Sequence, residues 1–347
     1  MRVIISHTTA LRWYLTRSRA AFEIVRETLS IDEFKCPDAR MGSLLASSFG
    51  CGKHALDLLV GRGNMRRSYR GVHCHVAGDL FPAGSFVRIP CSIESVELYI
   101  VSPELLYMQL CRGRSIAEAA LIGTTLCSLY WFDPSRDLGL AQRAENEVLT
   151  TSQRISAYVG RRAGTSLRGI AAKALPYIYD RSRSPRETGL AGLYGLPVRY
   201  GGFQLGDIAL NERVAIRLPH GESIRREPDI RISVKGVDGK VRTAYLDYDS
   251  VRYHSSAWEQ KRDARRRNEL ALAGIVHFTV TAEQANDFYY LCNLAERIRL
   301  VLKERPHPRL KGGVASPKNA KRLDEVRHKQ FELWKAIVND AFNVWDL

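Results

Sequence analysis

The stretch "HTTALRWYL" carries Leu11, Tyr14 and Leu15 at helical spacing, whereas "SFVRIP" and "VELYIV" have the β-branched, alternating look of strands. Ser102-Pro103-Glu104 then opens a helix with a polar cap, a proline in the first position and an acid in the first turn. Ser115 and Glu118 form a capping box for the next helix, through "AEAALIGTTLCSLY". Residues 1–135 therefore read as an α+β domain. From 184 to 304 the pattern changes to a mixed α/β unit. "SPRETGLAGLYGL" is a helix, "EPDIRISVKG" and "KVRTAYLDYD" are strands around Asp238-Gly239, "SAWEQKRDARRRNELALAG" is a helix and "IVHFTV" a further strand. Thr281 with Gln284 caps a long amphipathic helix whose apolar face is Phe288, Leu291, Leu294, Ala295, Ile298 and Leu302. A loop rich in Pro, Gly, Lys and Arg begins the segment 305–347. It leads to a final helix with Leu323, Val326, Trp334, Ile337, Ala341 and Trp345 at helical spacing, which is expected to dock on one of the domains.

Composition changes the picture between the two units. Residues 136–183 are strongly basic with few acids and read as a connector, either a phosphate-contacting arm or a charged face over a buried apolar stripe. The 347-residue chain carries a formal charge of +15, an excess that is either spread over a solvated surface or set against a polyanion, with nucleic acid, here DNA, the leading partner class. Seven widely spaced cysteines fit reduced thiols in a cytoplasmic protein. The opening residues lack a long apolar h-region with a small-residue cleavage site, so no secretory leader is expected. Glu118 interrupts the longest apolar run, which argues against a membrane span.

Several motifs invite chemistry. "SSFGCGKHALDLL" has a GK pair before a helical stretch, but Ser47 and His54 occupy positions where a phosphate-binding loop needs glycine and Ser or Thr. In "GVHCHVAG", strand alternation sends His73 and His75 to one face and Cys74 to the other, with no second pair at zinc spacing, so these are expected to be structural. The acids of the hairpin are more telling. Period two places Asp229, Arg231 and Ser233 opposite Ile230 and Ile232, and Asp247 with Asp249 opposite Leu246 and Tyr248. A two-residue loop would put the acids of the two strands on opposite faces. A three-residue loop, Val237-Asp238-Gly239 with Gly239 left-handed, pairs Asp229 with Asp247, and this is the expected turn. Carboxylates so close repel one another unless a cation lies between them, which points to Mg²⁺ or Mn²⁺ held by Asp229 and Asp247. The plain alternative is a sheet edge with exposed acids. Glu187, three residues after Ser184, either closes the start of its helix or points at the metal.

The succession "SPRET…GLP…PDIRIS…YLDYDS…H…KRDARRRNELALAGIVHFTV" resembles the very-short-patch-repair-like endonuclease domains of the PD-(D/E)XK superfamily. That resemblance, covering about 184–282, implies a restriction-endonuclease-like fold, a mixed sheet flanked by helices. It carries the family's site positions onto Glu187, Asp229, Asp247, Asp249 and His254, followed by Asp263, Arg266 and Leu270 with Gly274. Asp247 stands where the family has glutamate and Ser250 where it has glycine, and no lysine lies two residues after Asp247. His254 would act as a proton shuttle or phosphate contact. Arg262, Arg265, Arg266 and Arg267 recur along the following helix and are candidates for holding the DNA backbone. In the first unit, "ISHTTALRWY", "GVHCHV" and "VSPELLYMQLCRGRSIAEAALIGTTL" resemble the central region of AbiEi-type antitoxins of abortive-infection systems. Together these imply a metal-dependent DNA endonuclease or nickase, in DNA repair or phage defence. The alternative is a catalytically inactive DNA-binding regulator or antitoxin-like protein.

Overall fold

A computed structural model describes residues 1–18, 25–27, 29–67, 69–77, 81–136, 139–162, 168–217, 221, 223–236, 238–249, 268–303 and 317–339. The chain divides into two compact units, with the boundary between Ile178 and Tyr179.

The first unit runs β1 (Arg2–Ile5), α1 (His7–Leu15), β2 (Val25–Glu27), α2 (Ala39–Ser48), β3 (Leu56–Val60), β4 (Val72–Val76), β5 (Phe86–Ile89) and β6 (Glu97–Val101). There follow α3 (Pro103–Leu110), α4 (Ile116–Leu126), the two-stranded ribbon β7 (Tyr130–Phe132) and β8 (Leu140–Gln142), then α5 (Ser152–Arg161) and α6 (Arg168–Ala174). Six strands form one mixed sheet in the order β2-β5-β6-β1-β3-β4, with β1 parallel to β6 and antiparallel to β3. Val3, Ile4 and Ile5 are all fully buried, as a central strand covered on both faces requires. Leu11, Tyr14 and Leu15 of α1 are buried as their spacing predicts, and the caps at Ser102 and Ser115 form as expected.

The stretch expected to be a connector is instead part of this unit as far as Ile178. Helix α5 buries Ile155, Tyr158 and Val159 beneath its charged face, and the Tyr107 hydroxyl of α3 donates to the Ala171 carbonyl of α6 (3.0 Å). A Cβ at Gly123 of α4 would lie 2.5 Å from Ile178, so α4 and the end of the segment are in close contact. Its arginines are largely structural. Arg143 is buried and donates to the carbonyls of Tyr130, Tyr14 and Arg17, Arg154 pairs with buried Glu104 (3.0 Å), and Arg162 stacks over Phe81. Long basic side chains can cover apolar surface with their stems, so basic composition alone does not mark a linker.

The second unit comprises α7 (Pro185–Gly195), β9 (Asp207–Leu210), β10 (Val214–Arg217), β11 (Ser223–Arg226), β12 (Ile230–Lys235), β13 (Val241–Asp249), β14 (Val276–Thr281), α8 (Ala282–Ala285), α9 (Phe288–Leu302) and α10 (Pro317–Val338). Its main sheet is mixed, in the order β14-β13-β12-β9, with β14 parallel to β13 and the other pairs antiparallel. β10 and β11 form a separate ribbon. Ile230, Ile232, Ala244 and Leu246 are fully buried on one sheet face, and α9 buries the six apolar residues its pattern selects. Helix α10 docks on this unit. Ile337 meets Gly189 of α7, the Trp334 indole donates to the Ala285 carbonyl (3.1 Å), and Phe331 and Trp334 pack against Phe288. Ala341 and Trp345 lie outside the described residues. Among the described residues, no helix is long and apolar enough to cross a membrane.

Candidate active site on the carboxylate face of the second sheet

The hairpin that carries the acids closes as the sequence suggests. Ile230 pairs with Leu246 and Lys235 with Val241, and the Gly236 N–H donates to the Lys240 carbonyl (2.8 Å), the register that the expected three-residue turn requires; Val237, its first residue, lies outside the described residues. Gly239 has φ +76°, the left-handed conformation that glycine adopts without a Cβ penalty. Continued one step past Ile230, this register sets Asp229 opposite Asp247. The Asp229 N–H donates to Asp247 Oδ1 (3.2 Å), and the Tyr248 N–H donates to Asp229 Oδ2 (2.6 Å). Both carboxylates thus lie on the face opposite Ile230 and Leu246, each held by a backbone amide of the other strand. Asp249, two residues along β13, shares that face by alternation and is half-buried.

His277, which sequence reasoning passed over inside "IVHFTV", completes the group. β14 runs parallel to β13 with His277 beside Tyr245, and its Nε2 lies 2.9 Å from Asp247 Oδ2. The only available signal was the odd polar residue in a strand, because the parallel neighbour of β13 could not be read from local pattern. The β10–β11 ribbon borders this region. Val214, Ile216, Arg226, Pro228, Tyr245, Leu270 and His277 line a small pocket, and Arg226 forms an ion pair with Glu269.

Glu187 sits elsewhere in the arrangement. Ser184 caps α7, accepting from the Glu187 N–H (3.1 Å), and the glutamate is buried. Oε1 accepts from the Ser184 hydroxyl (3.0 Å), while Oε2 accepts from the Arg183 N–H (2.9 Å) and the Asn211 side-chain amide (2.7 Å). Burial pushes its carboxyl above the usual range, with these hydrogen bonds partly offsetting the shift. Of its two expected roles, closing the helix start is the one these contacts describe. His254, Arg262, Arg265, Arg266 and Arg267 lie outside the described residues, as do Ser250 and Asp263. Among the described residues, no group of three or more His, Cys, Asp or Glu side chains is placed to hold a metal ion.

A second polar cluster lies in the first unit. Asp57 of β3 is buried, accepts from the Thr9 N–H (3.2 Å) and the Thr8 hydroxyl at the start of α1, and lies 2.9 Å from His75 Nε2. Burial raises its pKa, and the hydrogen bonds to His75 and Thr8 more than offset this, holding it below the usual carboxylate range. His7 stacks on His75 with ring centroids 3.6 Å apart and takes φ +46°. Burial first, and the neighbouring His75 second, lower the His7 pKa to about 4. His75 is therefore tied into the fold, in line with the structural role expected for it.

No family model matches the chain, and neither a curated protein nor a solved structure is detectably similar to it.

Proposed function

We propose that the protein is a metal-dependent DNA endonuclease or nickase whose reaction centre is the Asp229–Asp247 pair. The observation that carries this reading is the placement of two carboxylates directly opposite one another on a sheet face, beside an imidazole. The donor set suits a hard divalent cation. It offers two facing carboxylates, and Mg²⁺ is commonly held by one or two carboxylates, with waters and substrate phosphate completing its shell. When bound, such an ion would lower the pKa of water and offset the charge developing on the scissile phosphate. The chain's own groups would do the rest. Asp229 and Asp247 hold and orient, their geometry fixed by the cross-strand amides. His277, hydrogen-bonded to Asp247 through Nε2, is positioned to hold or pass a proton at its other ring nitrogen. The basic balance of the chain favours a polyanionic substrate.

A specific observation favours a second reading, a DNA-binding regulator without hydrolytic activity. Glu187, a family-implied site residue, is engaged by three donors around its helix start, which removes one expected carboxylate from the group on the sheet face. A plasmid-nicking assay separates the two readings. Wild type is expected to convert supercoiled plasmid to open circle with Mg²⁺ or Mn²⁺, and Asp229→Ala to lose this by at least about a hundredfold. Salt-sensitive DNA binding without any metal-dependent nicking would establish the second reading in place of the first.

A further inference from the structure

The segment leading into α7 and the loop between β9 and β10 meet in an unusual way. Arg181 and Asn211 both have left-handed backbones, φ +73° and +47°, and they grip each other: Asn211 Nδ2 donates to the Arg181 carbonyl (2.9 Å) and Arg181 Nε donates to the Asn211 carbonyl (3.2 Å). Non-glycine residues in this region each cost on the order of 1 kcal/mol or more, and such conformations cluster where a fold holds a functional group in place. Asn211 is fully buried and connects further. Its side-chain amide also reaches Glu187, and its N–H donates to the Asp229 carbonyl (3.0 Å). The strained pair is thus wired to the backbone of a residue in the proposed reaction centre.

The same arrangement gathers guanidinium groups. Arg181 Nη2 lies 3.2 Å and Arg183 Nη2 2.7 Å from Glu227 Oε1, and Arg213 Nε lies 3.8 Å from Glu227 Oε2. Three guanidiniums from two separate chain segments converge on one carboxylate, although like charges this close repel. Guanidinium forks are built for bidentate contact with carboxylate or phosphate oxygens. Glu227 retains 24% of its side-chain surface and Arg213 retains 66%, so an incoming anion can reach the cluster from solvent. Glu227 precedes Asp229 by two residues, a span of at most about 7 Å.

We propose that Arg181, Arg183 and Arg213 form a phosphate seat that grips a phosphodiester of a nucleic-acid backbone next to Asp229, with Glu227 the resident anion that the backbone phosphate supplants. This rests on the reading of the carboxylate face as a nucleic-acid site and adds the element that sets the backbone in register with it. Glu227 is then a competitor that keeps the guanidiniums gathered in the free protein and weakens binding of stray anions.

The test is binding of a short labelled DNA duplex by fluorescence anisotropy in EDTA, across a series of salt concentrations, so that neither metal nor cleavage enters. Arg183→Ala and Arg213→Ala avoid the structural bonds that Arg181 makes. Each is expected to lower the slope of log affinity against log salt by about one, the mark of one lost phosphate contact. Glu227→Gln is expected to tighten binding, and inorganic phosphate to compete only at far higher concentration than duplex. Unchanged slopes in an Arg183→Ala/Arg213→Ala double variant that melts like wild type would overturn the proposal, as would absence of duplex binding by wild type. Tight occupation by inorganic phosphate, with the duplex unable to displace it, would overturn the nucleic-acid assignment. Arginine-dependent slopes without metal-dependent nicking leave the seat standing and remove the hydrolase reading. Nicking with unchanged slopes does the reverse.

Discussion

Asp247 is the residue on which most of the site's geometry meets. It accepts the Asp229 N–H through one oxygen and faces His277 through the other. His277→Ala is expected to leave the pair in place and slow cleavage by about 10²- to 10⁴-fold, the usual range for a positioned acid or base, with DNA affinity unchanged in EDTA. Equal rates for variant and wild type would remove His277 from the reaction. Glu187 predicts a different effect. Glu187→Ala leaves the Arg183 N–H, the Ser184 hydroxyl and the Asn211 amide without their acceptor. At about 1–3 kcal/mol for a buried group left unmade, with solvent and relaxation recovering part, the expected loss is about 3 kcal/mol, measured by denaturant unfolding. A loss under about 0.5 kcal/mol would contradict the capping role. His7 supplies a pH signature. Its pKa is about 4 when folded and 6.5 otherwise, so the unfolded chain takes up a proton that the folded unit refuses. Stability of the first unit should therefore fall as pH drops from about 6.5 towards about 4, and His7→Asn, which tolerates the left-handed backbone better, should flatten that dependence. Thermal melts over this pH window check it.

At the scale of elements, the hairpin was the most legible part of the second unit, for physical reasons. Alternation fixed the faces of β12 and β13, and only a three-residue loop with a left-handed glycine brought Asp229 and Asp247 together. The helices α3, α4, α7 and α9 were equally readable, because caps and apolar stripes are local signals. Strands β9, β10 and β11 were not. They are four residues each, with "DIAL", "VAIR" and "SIRR" giving too little alternation to stand out, and their pairing is set by the ladder and ribbon they join. His277 was missed with them, since its role comes from a parallel partner found only in three dimensions. The turn itself can be tested. A Cβ at Gly239 meets nothing within 4 Å, so Gly239→Ala carries only the conformational cost of φ +76°, about 1 kcal/mol, without loss of nicking. Deleting one loop residue, by contrast, should slip the register and abolish nicking altogether, because the two aspartates would then face opposite sides. A shortened hairpin that still nicks would contradict the cross-strand site.

The whole molecule shows what composition could and could not convey. A charge of +15 points towards a polyanion, yet part of that charge is buried inside the fold. Arg143 and Arg299 donate to backbone carbonyls, and Arg162 lies over an aromatic ring. This is why the basic stretch after residue 135 resembled a linker while in fact building α5 and α6 of the first unit. The guanidiniums that converge on Glu227 are the local feature on which the proposed phosphate seat rests. The measurement that bears most directly on the central claim is single-turnover cleavage of plasmid DNA at saturating protein with Mg²⁺ or Mn²⁺, comparing wild type with the near-isosteric Asp247→Asn. Metal-dependent strand scission by wild type is expected, with a loss of at least about a hundredfold in the variant and DNA binding in EDTA preserved or strengthened by the lost negative charge. Cleavage at the same rate by both proteins, or by neither, would contradict it.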